Sequence, residues 1–267
     1  MPPFHTRKTL GNTLACTLAI ALLLGTMDCG GSSKSVTLNV LAAASLTDAI
    51  TEISEAYTST RPGVTILPIF ASSGTLQVQI ENGGACDVFV SAATTQMDNL
   101  QNKGLLAEGT RRNLLNNKVV LIVPNNSTLG LTSFTDLALP KVTRIAIGDP
   151  DFVPAGMYAQ QAMELLGIAT QVNSKDIVRG TNAREVLAYV ESGNIDAGVV
   201  YATDALISDK VKVVASAPDA INAEVVYPAA IIKNSKAQKE AQDYLNFLSS
   251  AQAITIFAKY GFSPAIQ

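Results

Sequence analysis

Histidine occurs once in the 267-residue chain, at position 5, and tryptophan not at all. His5 lies in a leader-like start, so the remainder has no imidazole. That rules out a Ser-His-Asp triad and any zinc site built on histidine. Cysteine is scarce as well: Cys16, Cys29 and Cys86 are the three. Cys16 falls inside the leader and Cys29 at its end, which leaves Cys86 single and implies no disulfide framework. In "GGACDVFVS" it reads as a small, partly buried filler. No basic run occurs and the net charge is −3 at pH 7, so a nucleic-acid partner is disfavoured. Neither G-x-G-x-x-G nor G-x-x-x-x-G-K-[ST] is present, which removes the common nucleotide-phosphate loops. Low-complexity tracts are also missing. With 48% apolar residues, the chain is a globular one able to bury a core.

What is there begins with an export signal. His5, Arg7 and Lys8 form a basic start, and an apolar run follows from Leu14 to Leu24, broken by Thr17. The run is too short for a comfortable membrane span and reads as the apolar region of a signal peptide over residues 1–28. The next residues, "CGGSS", resemble the start of a bacterial lipoprotein, with Cys29 as the candidate lipidated residue. Asp28 departs from that pattern, which calls for a small neutral residue before the cysteine. Removal of the leader takes away Arg7, Lys8 and Asp28 and leaves a slightly more acidic exported chain.

Beyond the leader, strand-like and helix-like segments alternate. Strands are expected at 36–42, 64–70, 87–92, 118–124, 144–150 and 197–202, and in "KVVAS" and "EVVYPAAII". Helices are expected after Ser45, after Ser73, over 94–103, in "AGMYAQQAMELLG", in "REVLAYVESG" and over 236–260. The alternation predicts an α/β protein with mainly parallel sheets.

Two strand-to-helix junctions share a composition. "LAAASLTDAI" carries three alanines before Ser45, and "FASSGTLQVQI" carries Ala71, Ser72, Ser73 and Gly74. Ser45 reads as the N-cap of its helix, and the ordinary role of Ser73 is also a cap. Ligands of parallel α/β sheets bind at the carboxyl ends of strands, where helix N-termini offer unpaired N–H groups and partial positive charge. A serine there can donate to an anion, and small neighbours let the backbone come close. No S-x-x-K stands at either junction, so a Ser-Lys nucleophile is unsupported.

Taken in order, "VLAAASLTDAI", "FASSGTLQVQIENG" with "DVFVSA", "IGDPDFVPAGMYAQQAMELLG", "GVVYATDA" and "VVYPAAI" resemble the periplasmic molybdate-binding proteins of ABC importers, from about Val36 to Ser263. The resemblance implies a type II periplasmic binding fold: two α/β lobes joined by two crossover strands, with the ligand buried between them. Lobe 1 would be 33–117 plus 227–267 and lobe 2 would be 118–226. It implies an oxyanion held without charged side chains by the hydroxyls of Ser45, Ser73 and Tyr201 and by the backbone N–H groups of Ala155 and Ala183. Ser72 is an alternative to Ser73. Asp149, Arg184 and Asp204 would flank the site as lobe–lobe or cap partners. Molybdate and tungstate are fully deprotonated near neutral pH and need donors only, whereas hydrogen phosphate would want an acceptor. The implied protein is a non-enzymatic monomer in the periplasm or on the outer face of the cell membrane. It would have no cofactor and would hand molybdate or tungstate to an ABC permease. Sulfate or another tetrahedral oxyanion is the alternative ligand. A secreted serine hydrolase using Ser45 or Ser73 is a third reading, against which the missing histidine counts.

Overall fold

The computed structural model describes residues 35–265. The leader and Cys29 therefore lie outside the described residues. The chain begins with β1 (Val36–Ala43), α1 (Thr47–Ser59), β2 (Val64–Ala71), α2 (Ser73–Glu81), β3 (Val88–Val90), α3 (Thr94–Asn102) and β4 (Arg112–Asn116). It continues through β5 (Val119–Pro124), β6 (Arg144–Gly148), α4 (Pro154–Leu165), α5 (Ala169–Asn173), β7 (Asp176–Gly180) and α6 (Ala183–Glu191). Then come β8 (Ala197–Tyr201), α7 (Ala202–Leu206), β9 (Val211–Ser216) and α8 (Asp219–Asn222). It closes with β10 (Val226–Ile231), α9 (Gln238–Leu248), α10 (Ala251–Lys259) and β11 (Ser263–Pro264).

These strands form two sheets, ordered β11-β4-β10-β3-β1-β2 and β7-β6-β8-β5-β9. Both are mixed, which corrects the expectation of mainly parallel sheets. β2, β1 and β3 run parallel, as do β7, β6 and β8, while β10 is antiparallel to β3 and β4, and β5 is antiparallel to β8 and β9. The chain's route explains the reversals. It leaves the first sheet at the end of β4 and re-enters it at the start of β10, where Val226 pairs with Asn116. A strand that returns beside the one that left must run the other way. In the second sheet, β5 starts beside the end of β9, with Val120 opposite Ser216. Apolar periodicity carries no strand direction, so the sequence could not give this.

The parallel strands read as continuous apolar runs because helices cover both their faces. In β1, Val40, Leu41 and Ala42 are all fully buried. Close approach is arranged by glycine where α4 meets β6: a Cβ on Gly156 would overlap the Gly148 carbonyl. The expected C-terminal helix is two helices, because the chain breaks at Ser249–Ser250 and the Ser250 hydroxyl accepts the Ala253 N–H to start α10. β4 and β7, short and partly exposed, have no counterpart in the sequence reading. Cys86 is a buried free thiol whose pKa burial pushes up. Among the described residues no helix is long and apolar enough to cross a membrane.

Candidate functional site

The carboxyl ends of the parallel strands of both sheets converge on one small cavity. Ala43, Ala44 and Ser45 come from the end of β1 and the turn after it, Ala71, Ser72 and Ser73 from the end of β2 and the start of α2, and Ala92 from just beyond β3. From the second sheet come Val153 and Pro154 ahead of α4, Asn182 and Ala183 at the start of α6, and Tyr201 at the end of β8. The walls leave about 10 Å³, on the order of one water molecule. No lining residue is charged.

Four of the five expected residues line this cavity. Ala155 does not: it is fully buried behind Pro154, as the second residue of α4. Its N–H belongs to the first helical turn, where backbone donors have no partner within the helix. Ala183 is the first residue of α6, whose cap is Asn182, with the Asn182 side chain accepting the Glu185 N–H at 3.0 Å.

The serines differ from the expected caps. Ser45 is not the N-cap of α1. It sits in a 3-10 turn, Ala44–Leu46, and the capping position is Leu46, which makes no side-chain cap bond. Its side chain is thereby free of capping and faces the Tyr227 hydroxyl at 2.9 Å. The cap of α2 is Ser72, whose hydroxyl accepts the Thr75 N–H at 3.2 Å. Ser73, fully buried as the first helical residue, accepts the Ala92 N–H at 2.9 Å and keeps its own proton to give. Ser72→Ala is accordingly expected to lower stability by about 1 kcal/mol. Ser73→Ala strands a buried N–H and removes a donor from the cavity. Thermal melts and ligand titrations of the two variants separate these roles: the Ser72 change moves mainly the melt, the Ser73 change both.

Tyr201 is buried with its hydroxyl donating to the Ala92 carbonyl at 3.3 Å. Burial raises its pKa well above the ordinary tyrosine value, so the phenol stays protonated. Behind it, Asp204 is fully buried. Burial is the main cause raising its pKa to about 6, and the Arg184 guanidinium opposes it. Arg184 donates from Nε to Asp204 at 2.7 Å, and from a terminal nitrogen to Asp48 of α1 at 2.7 Å and to the Ser45 carbonyl at 3.5 Å. It thus ties a helix of the second sheet to one of the first. Asp149 stays within the second sheet's layer, its carboxylate accepting the Asp151 N–H and pairing with Arg179 of β7 at 3.9 Å.

Four participants have roles that the sequence reading does not assign: Ala92, Asn182, Asn117 and Tyr227. Ala92 ends a strand in small residues, the same signal that marks the two serine junctions. Asn182 with Glu185 has the spacing of a capping box, which was available. Asn117 and Tyr227 have no local signal, since only the fold brings them to Ser45.

A cavity of neutral donors at the strand ends of two sheets is the arrangement of a solute receptor, and the sequence comparisons agree. Residues 38–263 match the family of bacterial extracellular solute-binding proteins, and the chain belongs to that family. It is similar to Bacillus subtilis YvgL, which carries a provisional designation as an ABC transporter substrate-binding lipoprotein, with 43% identity over 87% of this chain and 88% of that one. It is also 38% identical to the molybdate-binding protein ModA of Escherichia coli, over 85% of this chain and 88% of that one. Among solved structures, the Azotobacter vinelandii periplasmic molybdate-binding protein superposes with a TM-score of 0.75 at 23% identity, covering 86% of this chain and all of that one. The fold is that of the two-lobe periplasmic binding proteins.

Proposed function

We propose that this protein captures molybdate or tungstate outside the cytoplasm and delivers it to an ABC transporter permease. The observation that carries the reading is a cavity lined by neutral residues, with hydroxyl and N–H donors from both sheets and no carboxylate. A fully deprotonated tetrahedral dianion needs donors alone. In a buried site fixed neutral dipoles act at low effective dielectric and are stronger than in water. Similarity to ModA supports the same ligand. Ser45, Ser73 and Tyr201 donate hydroxyls, and Ala155 and Ala183 donate backbone N–H groups. The lobes divide at the two crossings between the sheets, near 117 and near 227, and close on the ligand about them. Cys29 is the lipid anchor, a reading that the likeness to YvgL supports.

Calorimetry on the exported domain with molybdate, tungstate, sulfate and phosphate tests the ligand. Expected is a preference of at least about a hundredfold for the first two over sulfate, equivalent to about 2.7 kcal/mol. Sulfate binding as tight as molybdate binding sinks the selectivity. Sulfate is also fully deprotonated, so the difference has to come from size: the smaller anion cannot reach all donors at once.

A further inference from the structure

The Ser45 hydroxyl can point either way along its 2.9 Å contact with Tyr227, and only one direction leaves it able to donate to a ligand. The surrounding atoms decide which. Asn117, in the two-residue crossing between β4 and β5, accepts the Lys118 N–H on its side-chain oxygen at 2.8 Å. That fixes the amide, and its nitrogen faces the Thr203 hydroxyl at 2.9 Å and the Tyr227 hydroxyl at 3.1 Å. An amide nitrogen only donates, so Tyr227 Oη accepts there. Tyr227 has one proton, and of the two hydroxyls beside it, Ser45 Oγ at 2.9 Å and Tyr201 Oη, Ser45 Oγ makes the better-formed hydrogen bond.

We infer that Tyr227, set by Asn117, is a positioning residue that orients the Ser45 hydroxyl: the phenol donates to Ser45 Oγ, and Ser45 gives its own proton to the ligand. The reverse arrangement turns the Tyr227 proton away from its 2.9 Å partner, toward the Asn117 amide hydrogens or the weaker contact with the Tyr201 hydroxyl. The chain runs from amide to phenol to serine to anion, each member donating to the next. Tyr227 is fully buried, with its ring against those of Tyr201 and Phe262 at centroid distances of 5.6 and 5.4 Å, so the ring is held in place beside Ser45. Burial holds its pKa well above the usual tyrosine range, which keeps the proton in place. A serine committed to donating favours an oxygen with no hydrogen of its own, so the device selects for deprotonated oxyanions.

The orientation belongs to the protein itself, while its use in ligand selection rests on the oxyanion reading above. Two measurements keep these apart. Neutron diffraction from deuterium-exchanged, ligand-free crystals should place a deuteron on Tyr227 Oη directed at Ser45 Oγ. A deuteron on Ser45 Oγ directed at Tyr227 overturns the inference whatever the ligand. Calorimetry with molybdate then reads a double-mutant cycle. Tyr227→Phe alone should weaken binding roughly three- to tenfold, the scale of one neutral hydrogen bond. In a Ser45→Ala background the same change should alter affinity by less than about twofold, since the serine it orients is gone. Equal losses in both backgrounds would mean that Tyr227 acts on the fold rather than through Ser45, and would overturn the positioning role. If the wild type takes up no molybdate while the deuteron lies as expected, the ligand assignment fails and the orientation of Ser45 stands.

Discussion

Arg184→Met lowers the unfolding free energy by about 3 kcal/mol near pH 8, the scale for removing one member of a buried ion pair. Arg184 is the cation paired with Asp204, whose side chain has 0% exposure. Without it the carboxylate faces burial and the Asp48 charge with only the Tyr201 backbone N–H, at 3.3 Å, to oppose them. The sign of the pH dependence follows from linkage. In the wild type, Asp204 titrates at about 6, above its ordinary 3.8, so the folded state holds this proton more tightly than the unfolded chain does. Its contribution to stability is greatest below the unfolded value and declines as pH rises through the interval to about 6. In the variant the folded pKa moves higher still and the decline continues to higher pH. The deficit relative to wild type is therefore small near pH 5 and large near pH 8. Urea melts at those two pH values check it, and an equal deficit at both would mean that the loss is one of packing rather than charge. Methionine retains most of the apolar stem, which limits the packing change.

The second large effect concerns binding. Gly74→Val is expected to weaken molybdate binding by about a hundredfold or more, about 2.7 kcal/mol, with a smaller loss in the ligand-free melt. Gly74 is the second residue of α2 in the first sheet's layer, and its N–H donates to the Phe152 carbonyl, from the turn before α4, at 2.9 Å. A Cβ at this position would stand 2.5 Å from that carbonyl oxygen and 2.7 Å from the Phe152 Cα. Both are backbone atoms and cannot rotate away. The valine forces α2 and the turn apart, and with them Ser73 and Pro154 on opposite walls of the cavity. The helix itself tolerates the change, since glycine is the poorer helix former. Calorimetry with a parallel ligand-free melt decides: undiminished affinity would show that this approach is no part of the bound form.

The sequence made the alternation of elements legible because its parallel strands are apolar on both faces and its helices keep a 3.6-residue period. β1, β2, β5, β6 and β8 stand within a residue or two of their expected positions. Direction was illegible, since nothing in "EVVYPAAII" says that β10 returns antiparallel between β3 and β4. The serine junctions were legible as small-residue strand ends, but the division of labour between Ser72 and Ser73 was not. One hydroxyl caps and the next reaches Ala92, and a one-residue difference in helix start decides which. The Ser45 cap failed for a related reason: a 3-10 turn precedes α1, and composition alone does not distinguish that turn from the first turn of an α-helix. Long-range partners such as Asn117 and Tyr227, 110 positions apart, come together only through the chain's two crossings.

Ala155 and Ala183 carry a consequence for how such a receptor changes over generations. Both are buried, at 0% and 4% exposure, and both would serve through the peptide N–H alone. A gene library randomised at these codons would reject bulky residues for want of room and accept small apolar ones without any loss of recognition. Judged by tolerance, the two would be classed with the core, although they are proposed to face the cargo. Recognition written in main-chain atoms leaves the side-chain alphabet free to drift, so receptors of one ligand can part company in spelling at the very positions that hold it.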